Sequence, residues 1–140
     1  MRIYKRSFKE KSKFNLFEWF AIEPDYGNQS YGSILDAYEL SNNAHLLDLG
    51  ITKNRNNLIK AVKNNIKLLQ KYPNPEDILD SNEQYSGYRA NNLAHRMIMD
   101  ICGDSFDGTI IDTNNVDDPE LEGPSEICLW NFNVIKKLTN

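Results

Sequence analysis

Asp100–Asn115 reads DICGDSFDGTIIDTNN, and it carries the chain from a helical pattern through a glycine pair into a β-branched run. Upstream, from about Tyr88, the residues Ala90, Leu93, Ala94, Met97, Ile98 and Ile101 recur at three-to-four spacing, which predicts one amphipathic helix. Gly103 is a suitable residue to end it. Downstream, GTIIDT reads as a buried strand, a polar acidic loop runs from Asn114 to Ser125, and EICLWNF reads as another strand. Working back to the N-terminus, RIYKRSF, NLFEWFAI, SYGSILDAYEL and AHLLDLG have the β-branched and aromatic content of short strands. Between them and the Asp100 stretch lies NRNNLIKAVKNNIKLLQKY, in which Leu58, Val62, Ile66 and Leu69 mark a second helix. Tyr72-Pro73-Asn74-Pro75 ends it, because residues before proline leave the helical region. Strands, then two main helices, then strands predict an α+β fold rather than the alternating α/β pattern. With 140 residues, no repeat and no linker, residues 1–140 are expected to form a single domain.

The 40% apolar content favours a packed globule over a disordered chain. A net charge of −4 gives no electrostatic footprint for a nucleic-acid backbone, so a nucleic-acid partner is not expected. The basic residues gather early, in MRIYKRSFKEKSK, a run that suits either an anionic ligand or a solvated edge. No apolar h-region follows it, and no run approaches a membrane span. Cytoplasmic action, in the cell of origin or in a host, is the expectation. Cys102 and Cys128 stand far apart without a metal-ligand pattern, which fits a reducing compartment or two small buried residues. His45 and His95 are isolated in sequence and read as structural.

Two motif readings of the opening stretch fail on chemistry. SFDGTIIDTNN lies one residue from the aspartate-nucleophile phosphatase motif D-x-D-G-T-[LI]-x-D-[ST]. Aligning Asp107-Gly108-Thr109 with D-G-T puts Ser105 at the nucleophile, and serine cannot form the acyl phosphate. That motif also opens a doubly wound sheet, for which too little chain remains. An EF-hand loop begun at Asp104 would place Phe106 and Gly108 where oxygen ligands belong.

A different likeness fits the segment as a unit. Phe106–Ile111, FDGTII, then Ser125–Trp130, SEICLW, then Asn131–Lys136, NFNVIK, are similar to the C-terminal motifs of small ADP-ribosyltransferase-like domains of bacteriophages and bacterial toxins. Those domains carry a G-x-D-G-(I/V)-I strand, a variable loop, an S-E-hydrophobic strand and an N-P-x-x-I-K-like tail. IYKRS resembles the family's first strand, and WFAIEPDYGNQSYG its second motif. The specific part of the likeness is confined to about the last forty residues.

The resemblance implies an ADP-ribosyltransferase-like split β-sandwich that uses NAD as substrate. Glu126 would be the catalytic carboxylate, with Tyr4, Arg6, Tyr26 and Tyr31 on the dinucleotide. The acceptor would be a macromolecule, such as a host or competitor protein, or water. For Glu126 to face the cleft, Ile127 and Leu129 must point the other way and Trp130 must share its side. Three departures stand out: Ala21 replaces a family serine, Pro124 replaces the Glu or Gln of arginine-modifying members, and Ser7 follows Arg6 where glycine is usual. They make room for a second expectation, a catalytically silent binding or inhibitor module of the same fold.

Overall fold

The computed structural model of the chain describes residues 1–8, 14–24, 32–79, 92–118 and 125–138. Its elements are β1 (Arg2–Ser7), β2 (Glu18–Ala21), β3 (Ile34–Leu40), β4 (Leu46–Asp48), α1 (Thr52–Lys63), α2 (Ile66–Lys71), α3 (Pro75–Ile78), α4 (Asn92–Cys102), β5 (Gly108–Ile111), β6 (Glu126–Leu129) and β7 (Ile135–Lys137). The fold is α+β, as the order of patterns in the sequence requires. The strands form one seven-stranded sheet in the order β4-β5-β6-β2-β1-β3-β7. Among the described residues only β4 and β5 are parallel neighbours; the remaining pairs are antiparallel.

Strand alternation gives the sheet two buried faces. On the inner face Ile3, Phe20, Tyr38, Leu40, Ile127 and Leu129 form one core. Leu46 of β4 and Ile135 of β7 both pack against it, although they belong to opposite edges of the sheet. Seven flat strands at about 4.8 Å spacing would hold those edges nearly 30 Å apart. The sheet is therefore curled around this core. On the other face Leu47, Leu49 and Ile111 meet Leu58 and Val62 of α1 and Ala94, Met97 and Ile98 of α4.

Two glycines serve close approaches. A Cβ on Gly108 would run into the Cys128 carbonyl oxygen and lie 3.0 Å from Leu129 Cα, so β5 reaches β6 only without a side chain there. Gly32, at φ 127°, abuts the Ser7–Phe8 peptide at the end of β1.

The long helix expected between Asn54 and Tyr72 is two helices. Asn65 accepts the Leu68 N–H with its own side chain at 3.1 Å and starts α2 afresh. Asparagine competes with helix propagation in this way, and Ile66 is turned out to solvent at 77% exposure. The stripe on α4 also differs from expectation. Leu93 is exposed, while His95 is fully buried in its place. The expected start of that helix near Tyr88 lies outside the described residues.

The candidate functional site

Register alone assembles most of the residues expected at a site. Tyr4 pairs with Ala21, Ala21 with Glu126, and Glu126 with Ile111. Directly paired residues share a face of the sheet, so Tyr4, Ala21, Glu126 and Ile111 form one row across β1, β2, β6 and β5. Two strand spacings put the Tyr4 and Glu126 backbones about 10 Å apart, with Ala21 between them in the row. The next row on the same face contains Trp19, Cys128 and Thr109. Extending the Tyr4–Ala21 register brings Arg6 beside Trp19.

Burial separates an open part of these rows from a closed part. Tyr4, Arg6, Trp19, Ala21 and Glu126 are all half-buried, although their strands lie at the centre of the sheet. Thr109, Cys128 and Ile111 are buried. Helix α4 makes the boundary. His95 Nε2 lies 2.8 Å from Thr109 Oγ1, and the imidazole stands against Trp19 at 4.6 Å between ring centroids and 78° between planes. The result is a shelf of five residues with His95 as one wall. Ile127 and Leu129 point into the inner core, as the expectation for Glu126 requires. Trp130 packs on the helical side and donates Nε1–H to the Phe106 carbonyl at 2.8 Å and the Gly103 carbonyl at 3.2 Å.

Arg6 is incompletely satisfied. Its Nη2 donates to the Pro24 carbonyl at 3.4 Å, and its buried Nε has no hydrogen-bond partner among the described residues. A buried guanidinium N–H without an acceptor carries a desolvation penalty. An anionic ligand on the shelf would supply the missing acceptor. Alternation sends Lys5 to the opposite face, where it pairs with Glu18 Oε2 at 2.8 Å. The early basic run therefore does not form a single patch: Arg6 faces the shelf and Lys5 the inner core.

The start of β6 is fixed by a small hydroxyl network. Ser125 Oγ donates to Asp112 Oδ1 at 3.2 Å, accepts the Thr113 N–H at 3.0 Å, and lies 3.2 Å from Thr113 Oγ1. The Ser125 carbonyl also accepts the Ile22 N–H at 3.4 Å. These bonds tie the residue before Glu126 to the ends of β5 and β2. Asp117 and Asp118 hold the same loop to α1 through Thr52 and Arg55.

Cys128 shares the face of Glu126 but does not offer a nucleophile. Burial pushes its thiol far up, and the Glu126 charge pushes it further in the same direction. Asp107, central to the phosphatase-like motif, accepts the His45 N–H at 2.8 Å and the Asn131 Nδ2–H at 2.7 Å. Its role is to join β4, β5 and the turn after β6.

Of the residues expected on a ligand, Tyr4, Arg6 and Glu126 come together on one face. Tyr26 and Tyr31 lie outside the described residues. Trp19 was not singled out in the sequence, although alternation along Glu18–Ala21 puts it on the face of Ala21. No family model, curated protein or solved structure matches the chain.

Proposed function

We propose that the chain is an ADP-ribosyltransferase-like domain of the split β-sandwich type, which binds NAD on the shelf and cleaves its nicotinamide–ribose bond. The observation that carries the reading is the row Tyr4–Ala21–Glu126, with the under-satisfied Arg6 beside it on the same face. As the bond to nicotinamide breaks, its electron pair leaves with the base and positive charge develops on the ribose. A carboxylate held on a central strand stabilises that charge more than it stabilises intact NAD, which is what accelerates the step. Glu126 has this role. Arg6 binds the pyrophosphate through its planar, permanently charged fork, and Tyr4 borders the ribose. The nucleophile that completes the reaction comes from a macromolecular acceptor, such as a host or competitor protein, or is water.

Incubation with labelled NAD, with and without cell lysate, tests the reading. Label on a macromolecule supports transfer; free ADP-ribose and nicotinamide support hydrolysis. Glu126→Gln keeps the shape and removes the charge, so turnover should fall by at least about a hundredfold, in line with the loss of one electrostatic group at a reacting centre. Turnover that is absent, or indifferent to Glu126, refutes the enzyme.

One observation favours a second reading, a catalytically silent module that binds through the same face. Ala21, paired directly with Glu126, offers a methyl where a hydroxyl would fix the carboxylate. NAD binding without turnover in the wild type would select it.

A further inference from the structure

The geometry points to Trp19 as the platform for a planar heterocycle of the bound nucleotide, with His95 as the residue that holds the indole in place. The inference rests on the NAD reading and adds a ligand contact to it. Trp19, with Tyr4, is one of two half-buried aromatics of the shelf; it lies on central strand β2, flanked on the same face by Ala21 and, across the strand, by Arg6. An aromatic surface beside a guanidinium suits a base with its attached phosphate, because ring stacking and charge pairing then act on adjacent parts of one molecule.

The side of the indole towards α4 is occupied. His95 is fully buried, fixed to Thr109 Oγ1 at 2.8 Å, and meets Trp19 nearly perpendicular. Phe17 lies 6.1 Å from the same imidazole on an edge-to-face course. Buried between Phe17, Trp19 and Thr109, the imidazole limits rotation of the indole towards the helix. The indole is only half-buried, and its strand position puts it on the face of the sheet that carries Tyr4, Arg6 and Glu126. A platform held in this way loses little conformational freedom when a ring settles on it.

The chain has two tryptophans, Trp19 and Trp130, which makes the test direct. In full-length Trp130→Phe, emission reports Trp19 alone. Titration with NAD should change that emission to saturation, at the dissociation constant obtained by calorimetry. Nicotinamide mononucleotide and AMP, titrated separately, tell which ring lies on the indole: the fragment that perturbs the emission is the one that stacks. Trp19→Leu should weaken NAD binding by at least about fivefold, the lower end for loss of one base–aromatic stack. Trp19→Phe should restore binding to within about threefold of wild type. His95→Gln, which can still bond Thr109, should weaken NAD binding and reduce the change in Trp19 emission at saturating NAD. If calorimetry shows NAD bound while Trp19 emission and Trp19→Leu affinity stay unchanged, the platform is refuted and the NAD reading stands. If no NAD binds to the wild type, both fall.

Discussion

Lys5 and Glu18 form an ion pair beneath the shelf, and the structure allows its removal to be given a magnitude. Their side chains are 13% and 4% exposed and meet at 2.8 Å. Both are engaged beyond each other: Glu18 Oε1 accepts the Asn15 N–H at 2.9 Å, and Lys5 Nζ donates to the Trp19 carbonyl at 3.0 Å. Lys5 also lies 5.3 Å from the centroid of the Phe20 ring. At this separation the attraction is about 6 kcal/mol for an effective dielectric near 20, which competes with a desolvation penalty of several kcal/mol per ion. The net value of the intact pair is therefore small, but the loss of one partner strands a buried charge. Lys5→Met or Glu18→Gln alone should each cost about 3–5 kcal/mol, a large share of the roughly 5–15 kcal/mol that holds a domain of this size. The double variant strands no charge and should cost less than either single change. Urea unfolding followed by far-ultraviolet dichroism measures all four proteins. With a slope of about 1–3 kcal/mol per molar, the single variants should lose about 1–5 M in midpoint. Single changes below about 1 kcal/mol, or a double variant equal to the sum of the singles, would refute the argument that the pair is buried and coupled.

Two further outcomes are expected. Asp100 accepts hydrogen bonds from Lys71 Nζ at 2.7 Å and the Tyr72 hydroxyl at 2.6 Å, and these hold its carboxyl below the usual range. Its contribution is therefore present above the unfolded value of about 4 and is lost as pH falls through the lower folded value. Melting temperatures of wild type and Asp100→Asn should differ steadily from pH 5 to 8 and begin to converge below about pH 4; a gap that stays constant as the pH falls further contradicts the assignment. Burial raises the thiols of both Cys102 and Cys128. Iodoacetamide at pH 8, followed by mass spectrometry, should leave Cys128 unmodified in the native protein and label both cysteines in denaturant. Rapid native labelling of Cys128 would contradict its burial in the sheet.

The strands were legible because their signal is local. RIYKRSF, NLFEWFAI, SYGSILDAYEL, AHLLDLG, GTIIDT and EICLWNF each carry β-branched or aromatic residues within a few positions, and each yields a strand. What could not be read depends on contacts between distant parts of the chain. Ile51 provides no side-chain cap for α1; the cap comes from Asp117, which accepts the Thr52 N–H at 2.9 Å. Lys5 sits in a sequence context that resembles a solvated edge, and only its pairing with Glu18 explains why it is buried. The break between α1 and α2 was written in Asn64-Asn65, yet the apolar spacing runs across it and conceals it.

The site poses the same problem at longer range. Glu126 starts a short strand after a loop, a position that would ordinarily make it just another exposed carboxylate. Its relation to Tyr4 and Arg6 depends on β6 pairing with β2, and on that pairing having one register. A slip of β6 by one residue would turn Glu126 into the inner core and bring Ile127 onto the shelf. Against that slip stand Phe20, Ile127 and Leu129, each no more than 1% exposed on the opposite face. Moving Ile127 and Leu129 to the shelf side would expose two fully buried aliphatic side chains, at about 1.5–3 kcal/mol each. The apolar residues on one face of β6 thus keep the carboxylate on the other, so inner-face substitutions that loosen this packing should impair Glu126 without touching the shelf.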